Sequence, residues 1–394
     1  MKIKPSKKLE NLTGYAFAEV DKKVAELKDQ GVSLIDFGVG DPQDPTPDFI
    51  RNRVKIAVDE QACAGYPSYI GSKEYRETIA SWNKQRFDVD LDPSKEIISN
   101  IGAKEFVFNF PQAFINSGDI VLIPNPGYPP YNRGTTFAGG EVYYYNLTAE
   151  NNFLPNLDEI PDEILKRSKI LWINYPNNPT AATIDKGSLE NIVKFCHKHN
   201  IILASDEAYT EIYFDQKPTS ILEITKEGVI AINSLSKRSN MTCYRVGWAA
   251  GDEQIISQLK KLKTNIDSGT SSFIQDAAIT ALSDEQHVEE SRKVYKEKHD
   301  ILMGALQSVG LKPCPSKGTL YMWQRVPAGF TSVAFAQKLL NPELALVTTP
   351  GSWLSVSTHG INPGEGYVRF ALTPTLDDCK RAAQRIKQFL NLSA

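Results

Sequence analysis

Ile232-Asn233-Ser234-Leu235-Ser236-Lys237-Arg238-Ser239-Asn240-Met241-Thr242-Cys243-Tyr244-Arg245-Val246-Gly247-Trp248 sets a polar turn between two apolar runs. A β-like run from Gly228 to Ile232 empties into Ser234, Ser236 and Lys237. Arg245 follows eight residues after the lysine, and a second apolar run begins behind it. A lone lysine after a strand is ordinarily a solvated surface group. Hydroxyls before this one and a guanidinium after it change that reading. Lysine forms Schiff bases with carbonyl cofactors, and hydroxyl plus arginine suits a phosphate dianion. The stretch therefore has the chemistry of an amine bonded to a carbonyl cofactor that carries a phosphate.

Outward from this turn the chain alternates. Strands are expected near residues 96–99, 120–123, 141–145, 169–174, 201–205 and 229–233, with helices near 103–116, 127–138, 187–199 and 253–264. Such alternation predicts an α/β fold with a mainly parallel sheet between helices. Upstream, Phe17, Val20, Val24 and Leu27 are spaced for a helix over 15–30 with Gly31 as its cap, and Ser33–Phe37 reads as a short strand. Downstream, residues 285–308 suit one long helix. Tyr321-Met322-Trp323 and Tyr367–Leu372 read as strands of a smaller α/β unit.

With 394 residues the chain is long enough for a large domain plus a smaller one. A formal net charge of −3 gives no basic face for nucleic acid and no polybasic membrane patch. The apolar runs are strand-sized and far short of a membrane span, and the basic Met1–Pro5 start has no signal-peptide core. The five cysteines (63, 196, 243, 314, 379) are scattered without a CxxC pair, which predicts reduced thiols in a cytoplasm. The five histidines form no ligand set, so no metal is expected.

Further segments carry polar residues at strand ends. Gly38-Val39-Gly40-Asp41-Pro42 is no dinucleotide fingerprint, because position 43 is Gln and Pro42 interrupts a helix start. Gly65-Tyr66-Pro67 by itself is a surface loop. Asn100-Ile101-Gly102-Ala103-Lys104 joins a strand to a helix, whose N-terminus is a natural phosphate seat. Pro126-Gly127-Tyr128-Pro129-Pro130 is a rigid turn that either stacks Tyr128 on a ring or packs it in the core. Asn174-Tyr175-Pro176-Asn177-Asn178-Pro179-Thr180-Ala181 aims an amide off the sheet's carboxyl edge. Ile201–Ser205 ends in Asp206 and Glu207, with Tyr209 just beyond. Arg369 sits in the apolar run Tyr367–Leu372, where it needs either an internal ion pair or a bound carboxylate.

Ser-Leu-Ser-Lys followed by Tyr-Arg-Val-Gly-Trp resembles the lysine segment of the class I aminotransferases, pyridoxal-phosphate enzymes of the aspartate aminotransferase fold. The other segments recur in that family's order from about residue 36 to 372. The resemblance implies a large pyridoxal-phosphate-binding domain over 46–285 and a small domain from 1–45 with 286–394. It implies Lys237 as Schiff-base lysine and proton shuttle, Asp206 on the ring nitrogen, and Tyr209 and Asn178 on the ring oxygen. Tyr128 would stack on the ring. Gly102, Ala103, Lys104, Ser234, Ser236 and Arg245 would bind the phosphate, joined by Tyr66 from the other subunit of a homodimer. Gly40, Asn178 and Arg369 would hold the substrate α-carboxylate, with Trp353 near the same pocket.

Two departures, Ala181 for the usual Gly and Cys243-Tyr244 before the arginine, bear on loop packing. The expected activity is ping-pong transfer of an amino group to a 2-oxo acid such as 2-oxoglutarate, from an aspartate, alanine, aromatic or diaminopimelate type of donor. A carbon–sulfur β-lyase on the same fold, or a non-catalytic binding protein of that fold, stands as the alternative. A dicarboxylate substrate would need a second cation, for which Lys104 and Lys263 are the candidates.

Overall fold

The computed structural model describes residues 1, 3–10, 18–314 and 316–392. The strands among them are β1 (Ile35–Asp36), β2 (Ile97–Asn100), β3 (Ile120–Asn125), β4 (Glu141–Asn146), β5 (Ser168–Asn174), β6 (Ile202–Asp206), β7 (Val229–Ser234), β8 (Gly247–Gly251), β9 (Tyr321–Arg325), β10 (Leu346–Val347), β11 (Thr349–Pro350) and β12 (Tyr367–Ala371). Seven of them form one sheet in the order β2-β8-β7-β6-β5-β3-β4, and only β8 runs against the rest.

Successive side chains on these strands go to opposite faces. Leu171, Ile173, Leu203 and Ala231 join a core with the helices Lys73–Phe87, Lys186–His199 and Ser272–Leu282. Ile170, Trp172, Ala204 and Ile232 join a second core with Ala103–Asn109, Pro130–Ala138 and Glu253–Lys263. Both faces are covered, which explains why the strands read as continuous apolar runs. Trp172 and Trp248 are fully buried. At roughly 25 cal/mol per Å² and 150–250 Å² each, each contributes up to about 4–6 kcal/mol.

A third core joins Ile35 and Phe37 to Tyr295 and Leu302 on the long helix Gln286–Ser308, and to Leu320, Met322, Val368 and Phe370. Here β12 lies antiparallel between β11 and β9, and β1 pairs with β10 in parallel. The segment before Gly40 is thus held by a strand more than 300 residues away.

Several boundaries differ from the sequence expectation. The helix expected over 103–116 ends at Asn109 and tightens to a 3₁₀ turn over Phe110–Ala113, because Pro111 has no N–H to continue the ladder. The helix expected from 127 starts at Pro130, since successive prolines are tolerated only in a first turn. Upstream, the helix Ala18–Asp29 ends with Gly31 at φ +76°, as its cap position requires. Leu27 from that helix is buried against Leu340 and Val347. Phe17 and the side chain of Val20 lie outside the described residues. No helix among the described residues is long and apolar enough to cross a membrane.

Strand β8, Gly247-Trp248-Ala249-Ala250-Gly251, fits between two neighbours because its ends carry no side chain. A Cβ on Gly247 would stand 2.5 Å from the Asn233 carbonyl, and one on Gly251 would stand 2.3 Å from that of Val229. Gly247→Ala is therefore expected to lower unfolding stability by about 1–3 kcal/mol in denaturant titration.

Candidate active site

Strands β5, β6 and β7 end in one layer, with Asn174 opposite Asp206 and Asp206 opposite Ile232. Polar residues at these ends face a cavity of about 690 Å³. Asp206 is buried. Its Oδ2 accepts from the Tyr131 hydroxyl at 2.7 Å, its Oδ1 from the Ala208 N–H at 3.2 Å, and its carbonyl from Asn174 Nδ2 at 2.8 Å. Burial raises its pKa, and the Tyr131 and Ala208 hydrogen bonds oppose the rise. Tyr131 is fixed by stacking on Trp172, with centroids 4.8 Å apart.

Lys237 lies on the single turn Leu235–Arg238 that closes β7. Ser234 caps this turn. Its hydroxyl accepts from the Ser236 N–H at 3.2 Å and donates to the Ser236 hydroxyl at 3.0 Å. The Lys237 amine faces the same cavity as Asp206 and donates to the Gly40 carbonyl. Burial pushes its pKa down to about 8, with the Arg245 and Arg369 charges acting in the same direction and Asp41 against them.

Arg369 reaches the cavity from β12 and is only 8% exposed. Its Nη1 donates to Asn178 Oδ1 at 3.0 Å, and its Nη2 to the Gly38 carbonyl at 2.8 Å. Nε has no partner, and the ion pairs among the described residues include none to Arg369. The internal ion pair considered from sequence is therefore not what satisfies it. A buried guanidinium held by neutral acceptors keeps a positive charge for an anion.

A lysine with a lowered pKa, a buried carboxylate and an unpaired arginine around one cavity narrow the comparison with known proteins. The family model described as aminotransferase class I and II matches residues 32–386. The chain belongs to the class I and II aminotransferases. It is 46% identical over 386 residues to LL-diaminopimelate aminotransferase of Aquifex aeolicus, covering 97% of this chain and 98% of that protein. Identity to the LL-diaminopimelate aminotransferase of Maridesulfovibrio salexigens is 44% over 391 residues, with 98% and 99% covered. Apo-BacF of Bacillus subtilis superposes with a TM-score of 0.91 at 34% identity over the whole of both chains. The protein is thus a pyridoxal-phosphate-dependent aminotransferase of the type I fold. Amino transfer is its chemistry.

The aminotransferase's residues fit that cofactor. Gly102 has φ +76°, and a Cβ there would stand 2.3 Å from Arg245 Nη2, so the turn Gly102–Lys104 is shaped around the guanidinium. Arg245 itself has φ +53°, a strained value for a non-glycine residue, and donates to the Thr242 carbonyl at 2.7 Å. With the Ser234 and Ser236 hydroxyls and the first N–H groups of the helix Ala103–Asn109, this is a donor set for a dianion. Tyr128 and Tyr209 line the same cavity. The group of three or more His, Cys, Asp or Glu that a metal needs is absent among the described residues.

Not every expected residue is brought in. Tyr66 is 90% exposed and outside its own chain's cavity. Lys263 is buried elsewhere, 2.7 Å from Asp267 and 3.6 Å from Glu105, so it is not the second cation. Leu354 lines the cavity and Trp353 does not. Ala181 takes φ +57°, the left-handed conformation that glycine adopts freely.

Sequence reasoning missed Tyr131, Tyr321, Thr349 and Asp41 in the cavity wall. Asp41 could have been found, since it adjoins Gly40. The others meet their partners across long sequence separations and leave no local signal. The Lys237 geometry gives a pH test. Acylation of Lys237 in the apoprotein, followed by peptide mass spectrometry, is expected to rise as pH climbs through about 8. Asp41→Asn should move that midpoint down, because the Asp41 charge holds the pKa up.

Proposed function

We propose that this aminotransferase takes its amino group from a donor with a second charged head, of the diaminopimelate type, and passes it to 2-oxoglutarate in ping-pong fashion. The observation that carries the site assignment is the meeting of Lys237, Asp206 and Arg369 in one cavity. The donor class is supported by the diaminopimelate activity for which both relatives are named and by two further charges. Lys104 and Asp41 line the exposed side of the cavity, and neither is in an ion pair among the described residues. A cation and an anion there complement a distal ammonium and carboxylate.

Pyridoxal 5′-phosphate supplies the electron sink that lets a Cα–H bond break heterolytically. Asp206 would keep a proton at the ring nitrogen, and Tyr209 and Asn178 would donate to the ring oxygen. Tyr128 would cover the ring face. Ser234, Ser236, Arg245 and the backbone N–H groups of the Gly102–Lys104 turn would hold the phosphate, which leaves the Lys104 side chain out of that grip. Arg369, with Asn178 and the Gly40 backbone, orients the donor's α-carboxylate. The Lys237 amine, whose pKa burial lowers to about 8, moves the Cα proton as general base and then acid.

The two-part organisation, residues 1–45 with 286–394 against 46–285, belongs to the same proposal and is supported by the separate third core. So does a homodimer in which Tyr66 serves the neighbouring site, supported by its exposure. Sedimentation should then give a particle of twice 43.9 kDa, and Tyr66→Phe should weaken cofactor retention.

Lys237→Ala is expected to abolish the visible absorbance of the purified protein and cut transfer by about a thousandfold or more. In a panel of donors against 2-oxoglutarate, LL-diaminopimelate should give the highest kcat/KM. Lys104→Ala should lower that value by about tenfold while leaving alanine unaffected, a loss of about 1.4 kcal/mol. Preference for alanine, with no effect of Lys104→Ala, would sink the donor assignment.

A further inference from the structure

We propose that Tyr321 is a positioning residue that ties the grip on the substrate α-carboxylate to the hydrogen bond on the cofactor's ring oxygen. The inference rests on the roles proposed above for Arg369 and Tyr209. Tyr321 opens β9 and is 3% exposed, yet its side chain lines the cavity. One phenol ring there meets three segments that are far apart in the sequence.

Its hydroxyl lies 3.1 Å from the Tyr209 hydroxyl, in the loop after β6. The Arg369 guanidinium lies over its ring face, 4.6 Å from the centroid. Its hydroxyl also packs on Gly40, where an added Cβ would stand 2.2 Å away. The backbone is held as well, since the Tyr321 N–H donates to Thr319 Oγ1 at 3.0 Å. Neither ring nor hydroxyl is free to turn aside.

The two hydroxyls divide the work by proton count. A hydroxyl has one proton to donate. When Tyr209 donates to the ring oxygen, its own oxygen can only accept within the pair, so Tyr321 must be the donor. A donor behind a donor polarises it and strengthens the forward bond. The ring face meanwhile attracts the guanidinium through its quadrupole and restricts the fork that is to meet the carboxylate. Movement of Arg369 onto a substrate therefore presses on the residue that feeds Tyr209.

Three variants of the holoenzyme separate the two halves. Tyr321→Phe removes the hydroxyl alone, Tyr321→Leu removes hydroxyl and ring, and Tyr321→Met repeats the latter at a different side-chain shape should Leu not fold. The readouts are the pH midpoint of the visible absorbance and the Kd of 2-methylglutamate, which has no α-proton to lose and so reports binding alone. Asp206 and Tyr128 face Tyr209, while Tyr295 and Arg369 face Tyr321; all remain in place in each variant.

Hydrogen bonds to the ring oxygen favour its ionised form, so their weakening raises the midpoint. Tyr321→Phe should raise it by about half a pH unit with Kd within about twofold. Leu or Met should raise the midpoint equally and also weaken 2-methylglutamate by about fivefold or more. A wild-type midpoint in Tyr321→Phe, or wild-type affinity in the Leu and Met proteins, overturns the link. Arg369→Gln is the control for the underlying reading. If it binds 2-methylglutamate as wild type does, the carboxylate assignment fails, and the role of Tyr321 falls with it.

Discussion

Parallel strands that end in the same layer are the constraint on which this site depends. Asn174, Asp206 and the Ser234–Lys237 turn come from three consecutive strands of one sheet, and the register places their ends side by side. Backbone pairing, rather than side-chain contact, sets the spacing between the buried carboxylate and the lysine turn. The polar groups can then be few, because each needs only to leave the last residue of its strand in the right direction. A slip of one residue in any of these pairings would turn the functional side chain into the core.

The charges in the cavity work against burial in opposite ways. Desolvation raises the pKa of Asp206 and lowers that of Lys237, so both are drawn toward their neutral forms. For the lysine this is the useful direction, since only the neutral amine attacks a carbonyl or takes a proton. For the carboxylate it is opposed by two hydrogen bonds, one from Tyr131 and one from the Ala208 backbone. Arg369 stays cationic, and the tyrosine face and neutral acceptors around it leave its charge for a ligand. The three groups are thus prepared differently by one shared environment.

Most of the sheet was legible in the sequence because its signals are local. The apolar runs that became β3, β5, β6 and β7 each end in a polar turn, and the period is visible within a few residues. Strand β8 was not legible as a strand, since Gly, Ala and Gly replace the β-branched residues that mark one; its fit is decided by the carbonyls of β7 alongside. The helix over 103–109 was overextended because its apolar spacing continues past Pro111. In the site, Lys237 and Arg369 were readable from their settings, whereas Asp206 by itself read as a strand-end carboxylate and gained its role from the resemblance. Tyr321 was not, because it meets Tyr209 across 112 residues and the sequence around it reads only as an ordinary strand. Lys263 could not be placed from sequence, and the structure buries it beside Asp267.

The Gly38–Asp44 loop is fastened almost wholly by the far end of the chain. Gly38 accepts from Arg369 and Thr349, Val39 from Thr373, and Asp44 from the fully buried Lys298. Ribosomal synthesis delivers these anchors last. Strand β8, the last of the seven-stranded sheet, precedes all of these anchors in the chain, while the Lys237 amine reaches Gly40 from before it. The pocket wall contributed by an early segment is therefore held in place by residues that lie between 298 and 373, more than 250 positions further along the chain.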